Sequence, residues 1–207
     1  MLLHSGEMRK RDEIVGIVLA AGLSSRMGKF KQLLPIGDQP AVCRIAGVLK
    51  QCLEQVVVVV GHRADEVRDA LVGLEVECIH NREFRGGMLS SVQCAVREVG
   101  LGRDYLFCLG DQPSLHGEIV QRVVDRALGV DAGIVIPTFN GKRGHPLFLS
   151  RSYRSEILQL GREVGLNVIT RSNPHDTVEF PVACAEILDD MDTPADYARE
   201  KARAKRY

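Results

Sequence analysis

The chain lacks an excess of charge of either sign: Lys plus Arg and Asp plus Glu both number 27 in 207 residues, for a formal net charge of zero. A balanced chain has no electrostatic footprint for DNA or RNA, so nucleic acid is not an expected partner. It also lacks a long apolar run. The five valines Val56 to Val60 stop at Gly61-His62-Arg63, far short of a membrane span. The leader Met1 to Arg11 has two consecutive leucines and then turns polar and basic, without the apolar centre of a secretion signal. The expected location is cytoplasmic, and Met8 is a second candidate start. No Cys-x-x-Cys pair occurs among the six cysteines, so they read as small core residues rather than a zinc site or disulfide framework. Aromatic residues make up only 5% of the chain, and no helical face marks itself as an exposed patch for self-association. No linker or repeat is visible, and 207 residues are enough for one full-sized core.

What is present is concentrated in Ile14 to Pro35, IVGIVLAAGLSSRMGKFKQLLP. Five of its first six residues are apolar, as in a strand buried on both faces. The strand runs into Gly22, Ser24, Ser25 and Gly28, small residues that let backbone N–H groups converge on an anion, while Arg26, Lys29 and Lys31 add positive charge. The stretch reads as a polyphosphate cradle. It contains neither a glycine-rich loop ending in Gly-Lys-Ser/Thr nor Gly-x-Gly-x-x-Gly.

Downstream, apolar residues at helical spacing alternate with β-branched runs. Pro40 opens a helix with Val42, Ile45, Ala46, Leu49 and Leu53 on one face, and Gln55 to Val60 is a central parallel strand. Ala64 to Leu71 is a short helix, Val76 to Ile79 a strand, and His80 to Gly87 a loop before a helix from Met88 to Val99. Tyr105 to Leu109 is a strand, Gly117 to Leu128 a helix, and Gly133 to Pro137 a strand. This rhythm predicts an α/β domain with a mostly parallel sheet. Asn140-Gly141 marks a turn; Ser152 to Leu160 and Glu163 to Thr170 are predicted helical, Thr177 to Val182 an edge strand, and Ala185 to Leu188 a last apolar strand. The tail from Pro194 is predicted to be a charged helix with Arg199, Lys201, Arg203, Lys205 and Arg206 solvated.

Ligands of an open parallel sheet sit beyond the carboxyl ends of its strands, which is where the cradle, Asp111 and Asp192 fall. Two carboxylates beside a cationic phosphate loop are explained by a magnesium ion joining them to phosphate oxygens. The plain alternatives are a turn residue for Asp111 in Asp-Gln-Pro and a helix cap for Asp192 before Thr193-Pro194.

The opening stretch resembles the nucleotidyltransferase signature LAAG-x-S-x-RMG-x-x-K, continued by Lys31-Gln32-Leu33-Leu34-Pro35. Together with Gly110-Asp111-Gln112-Pro113, Arg143-Gly144-His145-Pro146 and Met191-Asp192-Thr193-Pro194-Ala195-Asp196-Tyr197, it is similar to the molybdenum cofactor cytidylyltransferases of that superfamily, from Ile14 to about Tyr197. The resemblance implies a three-layer, Rossmann-like (GT-A-like) MobA-like NTP transferase domain over residues 14–207, behind a poorly ordered leader, residues 1–13. It implies transfer of CMP from CTP to the terminal phosphate of molybdenum-bearing molybdopterin, with release of pyrophosphate and dependence on Mg²⁺. Leu19, Ala20, Ala21 and Gly22 would hold base and ribose, with Gly87 and Ser91 near the base. Arg26 and Lys31 would hold the triphosphate, Asp111 and Asp192 the metal, and Gly144, His145 and Pro146 would lie on the acceptor side. A molybdenum enzyme or its maturation chaperone is an expected protein partner. His145 is equally readable as a hairpin residue, because a phosphate nucleophile is already ionised at neutral pH. Two other functions fit the same residues: nucleotidyl transfer from CTP, GTP or another NTP to a different phosphorylated small molecule, and nucleotide binding without turnover by a chaperone or sensor.

Overall fold

A computed structural model describes residues 9–25 and 27–205. Strand β1 (Ile14–Leu19) lies at its centre, hydrogen-bonded in parallel to β4 (Gln55–Val60) on one side and β6 (Asp104–Leu109) on the other. Between β1 and β4 the chain makes a two-stranded ribbon, β2 (Pro35–Ile36) with β3 (Gln39–Pro40), and helix α1 (Ala41–Cys52). Helix α2 (Ala64–Ala70) leads to β5 (Glu77–His80), which pairs in parallel with β4. Helix α3 (Met88–Glu98) returns the chain to β6, and α4 (Gly117–Leu128) leads on to β7 (Ile134–Phe139).

The side-chain period of two explains the near-continuous apolar character of these strands. Along β1, Ile14 and Val18 pack into one core with α1 and α4, while Val15 and Ile17 pack into the opposite core with α3. Helices α3 and α4 follow the sequence expectation closely, as does the edge strand β10 (Thr177–Pro181), parallel to β7. The sheet order is β10-β7-β9-β6-β1-β4-β5, with β8 (Lys142–Arg143) paired to β7. Strand β9 (Leu147–Leu149) is antiparallel to both of its neighbours, β6 and β7. This is a single α/β domain with a mostly parallel sheet.

Three expectations need correction. Ala185–Leu188 is a 3-10 turn, not a strand. Its apolar signal comes from Ile187, whose side chain and carbonyl pack against Gly144; four apolar residues do not specify a backbone form. The helix predicted from Glu163 begins only at Asn167, as α6 (Asn167–Ser172), after Gly161 and Gly165. The third concerns the tail. In α7 (Pro194–Ala204), Thr193 and Asp196 form a reciprocal capping box, so Thr193, not Asp192, is the cap. Glu200 is buried and hydrogen-bonded by Ser114 and Arg203, and Arg203 also reaches Asp189 at 2.6 Å. Arg203 is therefore a structural cation; Arg206 lies outside the described residues. The remaining helix, α5 (Arg154–Gln159), follows a 3-10 turn over Arg151–Tyr153.

The boundary drawn at Ile14 also cuts through a packed region. Arg9 Nε lies 3.2 Å from Asp104 Oδ2, its Nη1 donates to the carbonyl of Ala127, and its guanidinium sits over the Phe148 ring. Asp104 is fully buried at the start of β6 and accepts from the Arg151 backbone N–H through its other oxygen. Arg9→Ala is expected to destabilise the protein by about 3 kcal/mol, the scale for removing one partner of a buried ion pair. A thermal scan should show the midpoint falling by roughly 6–12 °C in a chain of this size; an unchanged midpoint would show that Arg151 alone satisfies Asp104.

Candidate functional site

The chain passes from β1 outward to β4 and β5, then crosses to β6 on the other side of β1. That reversal puts a switch point between the carboxyl ends of β1 and β6, the place where an open sheet leaves a crevice. The registers align these ends: Leu19 stands opposite Leu109 and Val59. The cradle leaves β1, Asp111 follows β6, and the turn at Gly61 follows β4, all from one rim. Because β9 runs antiparallel, with Leu147 opposite Phe107, its leading segment Gly144-His145-Pro146 reaches the same rim.

The cradle is fastened by its own side chains. Ser24 Oγ donates to Gln32 Oε1 at 2.8 Å and accepts from the Lys31 backbone N–H at 3.1 Å; Gln32 is buried. Ser24 adopts φ 56° and Gly28 φ 66°, left-handed positions of the kind that fold successive N–H groups around an anion. Within Lys31-Gln32-Leu33-Leu34-Pro35, nothing in the sequence marks Gln32 as a fastening residue, because an amide has no charge pattern to announce it. Leu19, Ala20, Ala21 and Gly22 form the floor: Ala20 and Ala21 are buried, the Ala20 N–H donates to Val59, and the Gly110 N–H donates to Leu19. Arg26 lies outside the described residues.

Lys31 joins the two acids. Its ammonium bonds to Asp111 Oδ2 and, at 2.8 Å, to Asp192 Oδ1, across separations in sequence of 80 and 161 residues. Burial would push this ammonium down, but the two carboxylates outweigh it and hold Lys31 above its ordinary value. Asp192 is brought in although its segment is not a strand, because the Met191 N–H donates to the Asp111 carbonyl at 2.9 Å. Among the described residues no group of three His, Cys, Asp or Glu could hold a metal. A pair of carboxylates already converging on one cation nevertheless suits a hard divalent ion that takes its remaining ligands from phosphate and water.

Asp190 is an addition the sequence did not single out from its acidic run. Gln112 Nε2 donates to it at 2.9 Å, and its carboxyl is pushed up by burial and then by the neighbouring Asp111 charge. His145 comes within the field of Asp111. Burial lowers its imidazole to about 4 against the opposing pull of that carboxylate, so at neutral pH it is uncharged and a weak base. Its backbone N–H donates to Ile187 at 3.0 Å, and Gly144 is pressed so closely on Ile187 that a Cβ there would lie 2.5 Å from the carbonyl oxygen. This segment is a tightly fitted wall. On the far side of the cradle, Gly87 stands at φ 83° with open space around its Cα. Ser91 is buried under the first turn of α3, its hydroxyl accepting from Asn81 Nδ2 at 3.0 Å.

The chain is 31% identical over 190 residues to the molybdenum cofactor cytidylyltransferase of Escherichia coli, an alignment spanning 90% of this chain and 95% of that one. It is 25% identical to a probable molybdenum cofactor guanylyltransferase of Pelotomaculum thermopropionicum, over 93% and 94% of the two chains. Among solved structures, Rv0371c from Mycobacterium tuberculosis superposes with a TM-score of 0.78 at 30% identity, covering 92% of this chain and 98% of that one. A complex of that protein with manganese gives 0.74 at 27%, over 93% and 100%. A fold, a cradle and an acid pair at one switch point thus coincide with a family model that matches residues 16–178, and the chain belongs to the MobA-like NTP transferase domain family, a family of nucleotidyltransferases.

Proposed function

We propose that the protein transfers CMP from CTP to the terminal phosphate of molybdenum-bearing molybdopterin, releasing pyrophosphate, in the cytoplasm and with Mg²⁺. The observation that carries this reading is Lys31 set between Asp111 and Asp192 beside the cradle, supported by the near full-length match to a cytidylyltransferase. In the reaction an oxygen of the acceptor phosphate forms a bond to the α-phosphorus in line with the departing group. The bond from the α-phosphorus to the bridging oxygen breaks, and pyrophosphate carries that electron pair away. Such a transfer needs positioning and charge neutralisation rather than a covalent nucleophile.

Lys31 is a compact cation suited to the α-phosphate as charge redistributes, and Arg26 offers a planar fork to the leaving pyrophosphate. Asp111 and Asp192 would hold Mg²⁺, which when bound neutralises phosphate charge. The backbone of Leu19, Ala20, Ala21 and Gly22 would receive base and ribose, with Gly87 and Ser91 towards the base. Gly144, His145 and Pro146 would border the acceptor; an uncharged His145 presents a polar edge there without abstracting a proton. A molybdenum enzyme or its chaperone would receive the product. The match to a guanylyltransferase favours GTP as the competing donor.

Pyrophosphate release should be measured with CTP, GTP, ATP and UTP, each with Mg²⁺ and a molybdopterin source. Release with CTP well above the other three is the expected result. Faster release with GTP would move the assignment to guanylyl transfer, and binding without release from any donor would favour a sensor or chaperone.

A further inference from the structure

His62 follows β4 at the rim of the crevice, and its ring is held between two others. The Phe30 ring meets it edge-on at 5.5 Å between centroids, and the Phe84 ring lies tilted at 6.0 Å on another side. Phe30 immediately precedes Lys31, while Phe84 opens the 3-10 turn Phe84–Gly86 that delivers Gly87. The two phenylalanines thus belong to the two loops between which the proposed nucleotide would lie, and His62 is the ring that touches both.

The backbone under this ring is fixed. The His62 N–H donates to the Ala21 carbonyl at 3.2 Å. At Gly61 the cradle floor and the Phe84 loop come so close that a Cβ would lie 2.6 Å from Phe84 Cβ and 2.8 Å from Ala21 Cβ. The outer faces are closed by cations, Arg63 over Phe30 at 5.0 Å and Arg85 over Phe84 at 5.7 Å. Phe30 is buried, although it belongs to a loop of small and polar residues. Phe30 also packs into the core on the α1 side and Phe84 against the core on the α3 side, and through His62 the two loops are joined ring to ring.

We propose that His62 is a positioning residue that clasps the phosphate-side loop to the base-side loop and thereby sets nucleotide affinity. The inference rests on the proposed nucleotide site. Its ring acts through Phe30 and Phe84, so loss of the clasp is expected to leave the chemical step intact once substrate is bound and to raise the cost of ordering the two loops around it. What matters is an aromatic face at position 62, since edge-to-face and tilted contacts draw on the ring quadrupole rather than on a titrating nitrogen.

The test is calorimetric titration of CTP and GTP with Mg²⁺ into the full-length protein and three variants, His62→Ala, His62→Leu and His62→Phe, with kcat and KM for pyrophosphate release and a thermal midpoint for each. His62→Ala and His62→Leu are expected to weaken nucleotide binding and raise KM by roughly tenfold, the scale of two aromatic contacts, with kcat within about twofold. His62→Phe should restore the affinity. Binding by His62→Leu as tight as by His62→Phe would overturn the clasp, because bulk would then suffice, and so would wild-type affinity in His62→Ala. If wild-type protein takes up no nucleotide, the site assignment itself fails and the clasp with it. His62→Leu keeps the comparison decisive if His62→Ala does not fold.

Discussion

Asp111→Asn is expected to lose turnover by about a hundredfold or more, the scale for removing one electrostatic partner from a reacting site. The substitution keeps the shape and one carbonyl oxygen but removes the charge. Gly110 and Gln112 stay anchored by their own backbone bonds, to Leu19 and Leu109 respectively, so the turn after β6 is retained. Lys31 keeps Asp192 as a partner. The thermal midpoint of the unliganded protein should therefore move by no more than about 2 °C, a fraction of a kcal/mol in a chain of this length. Nearly all of the loss should appear in kcat and in the Mg²⁺ concentration needed for half-maximal rate. Near-normal turnover at low Mg²⁺ would remove Asp111 from the metal assignment and leave it as a turn residue before Pro113.

Lys31→Met should be as damaging to turnover, by about a hundredfold, yet it should differ in the unliganded protein. Both carboxylates that Lys31 bridges are partly withdrawn from solvent, with side chains 15% and 22% exposed. Methionine fills similar space but removes the positive charge that Lys31 places between the two carboxylates, and like charges at short range are mutually destabilising. The midpoint should fall in the absence of metal. Added Mg²⁺ should then raise it more in Lys31→Met than in wild type, because a cation can enter the position the ammonium has vacated. Equal Mg²⁺ responses in the two proteins would mean that Lys31 and the metal do not share the acid pair, and the two acids would need separate roles.

The sequence exposed the α/β alternation because its signals are local. Five valines in a row describe a strand covered on both faces wherever it lies, and the period of Ile119, Val120, Val123 and Val124 describes a helix with one face on the sheet. Charge and position at strand ends brought Lys31, Asp111 and Asp192 forward as candidates, and the family motifs attached roles to them. What the sequence withheld was mostly long-range. That Ile187 packs on Gly144, that Arg9 meets Asp104, and that Glu200 is buried against Ser114 are relations between distant positions. A charged residue looks the same in sequence whether water or a buried carboxylate receives it, which is why the cations of the last helix read as solvated. Likewise His62, Phe30 and Phe84 are ordinary in isolation, and only the neighbouring ends of strands bring their rings together.

The antiparallel strand β9 also governs the order in which a growing chain can complete its sheet. Phe148 pairs with Leu106 on one side and Val135 on the other, so β7, made earlier, has no place beside β6 until β9 has been synthesised and inserted. The four strands β6-β1-β4-β5 can assemble on the ribosome as an unbroken parallel unit bearing the cradle and Asp111, with the β6 edge still waiting for its partner. β7 and β10 can join only through that wedge. Asp192 is made 81 residues after Asp111 (192 − 111), so over that stretch of synthesis the nascent chain carries the cradle with one acid and waits for the second.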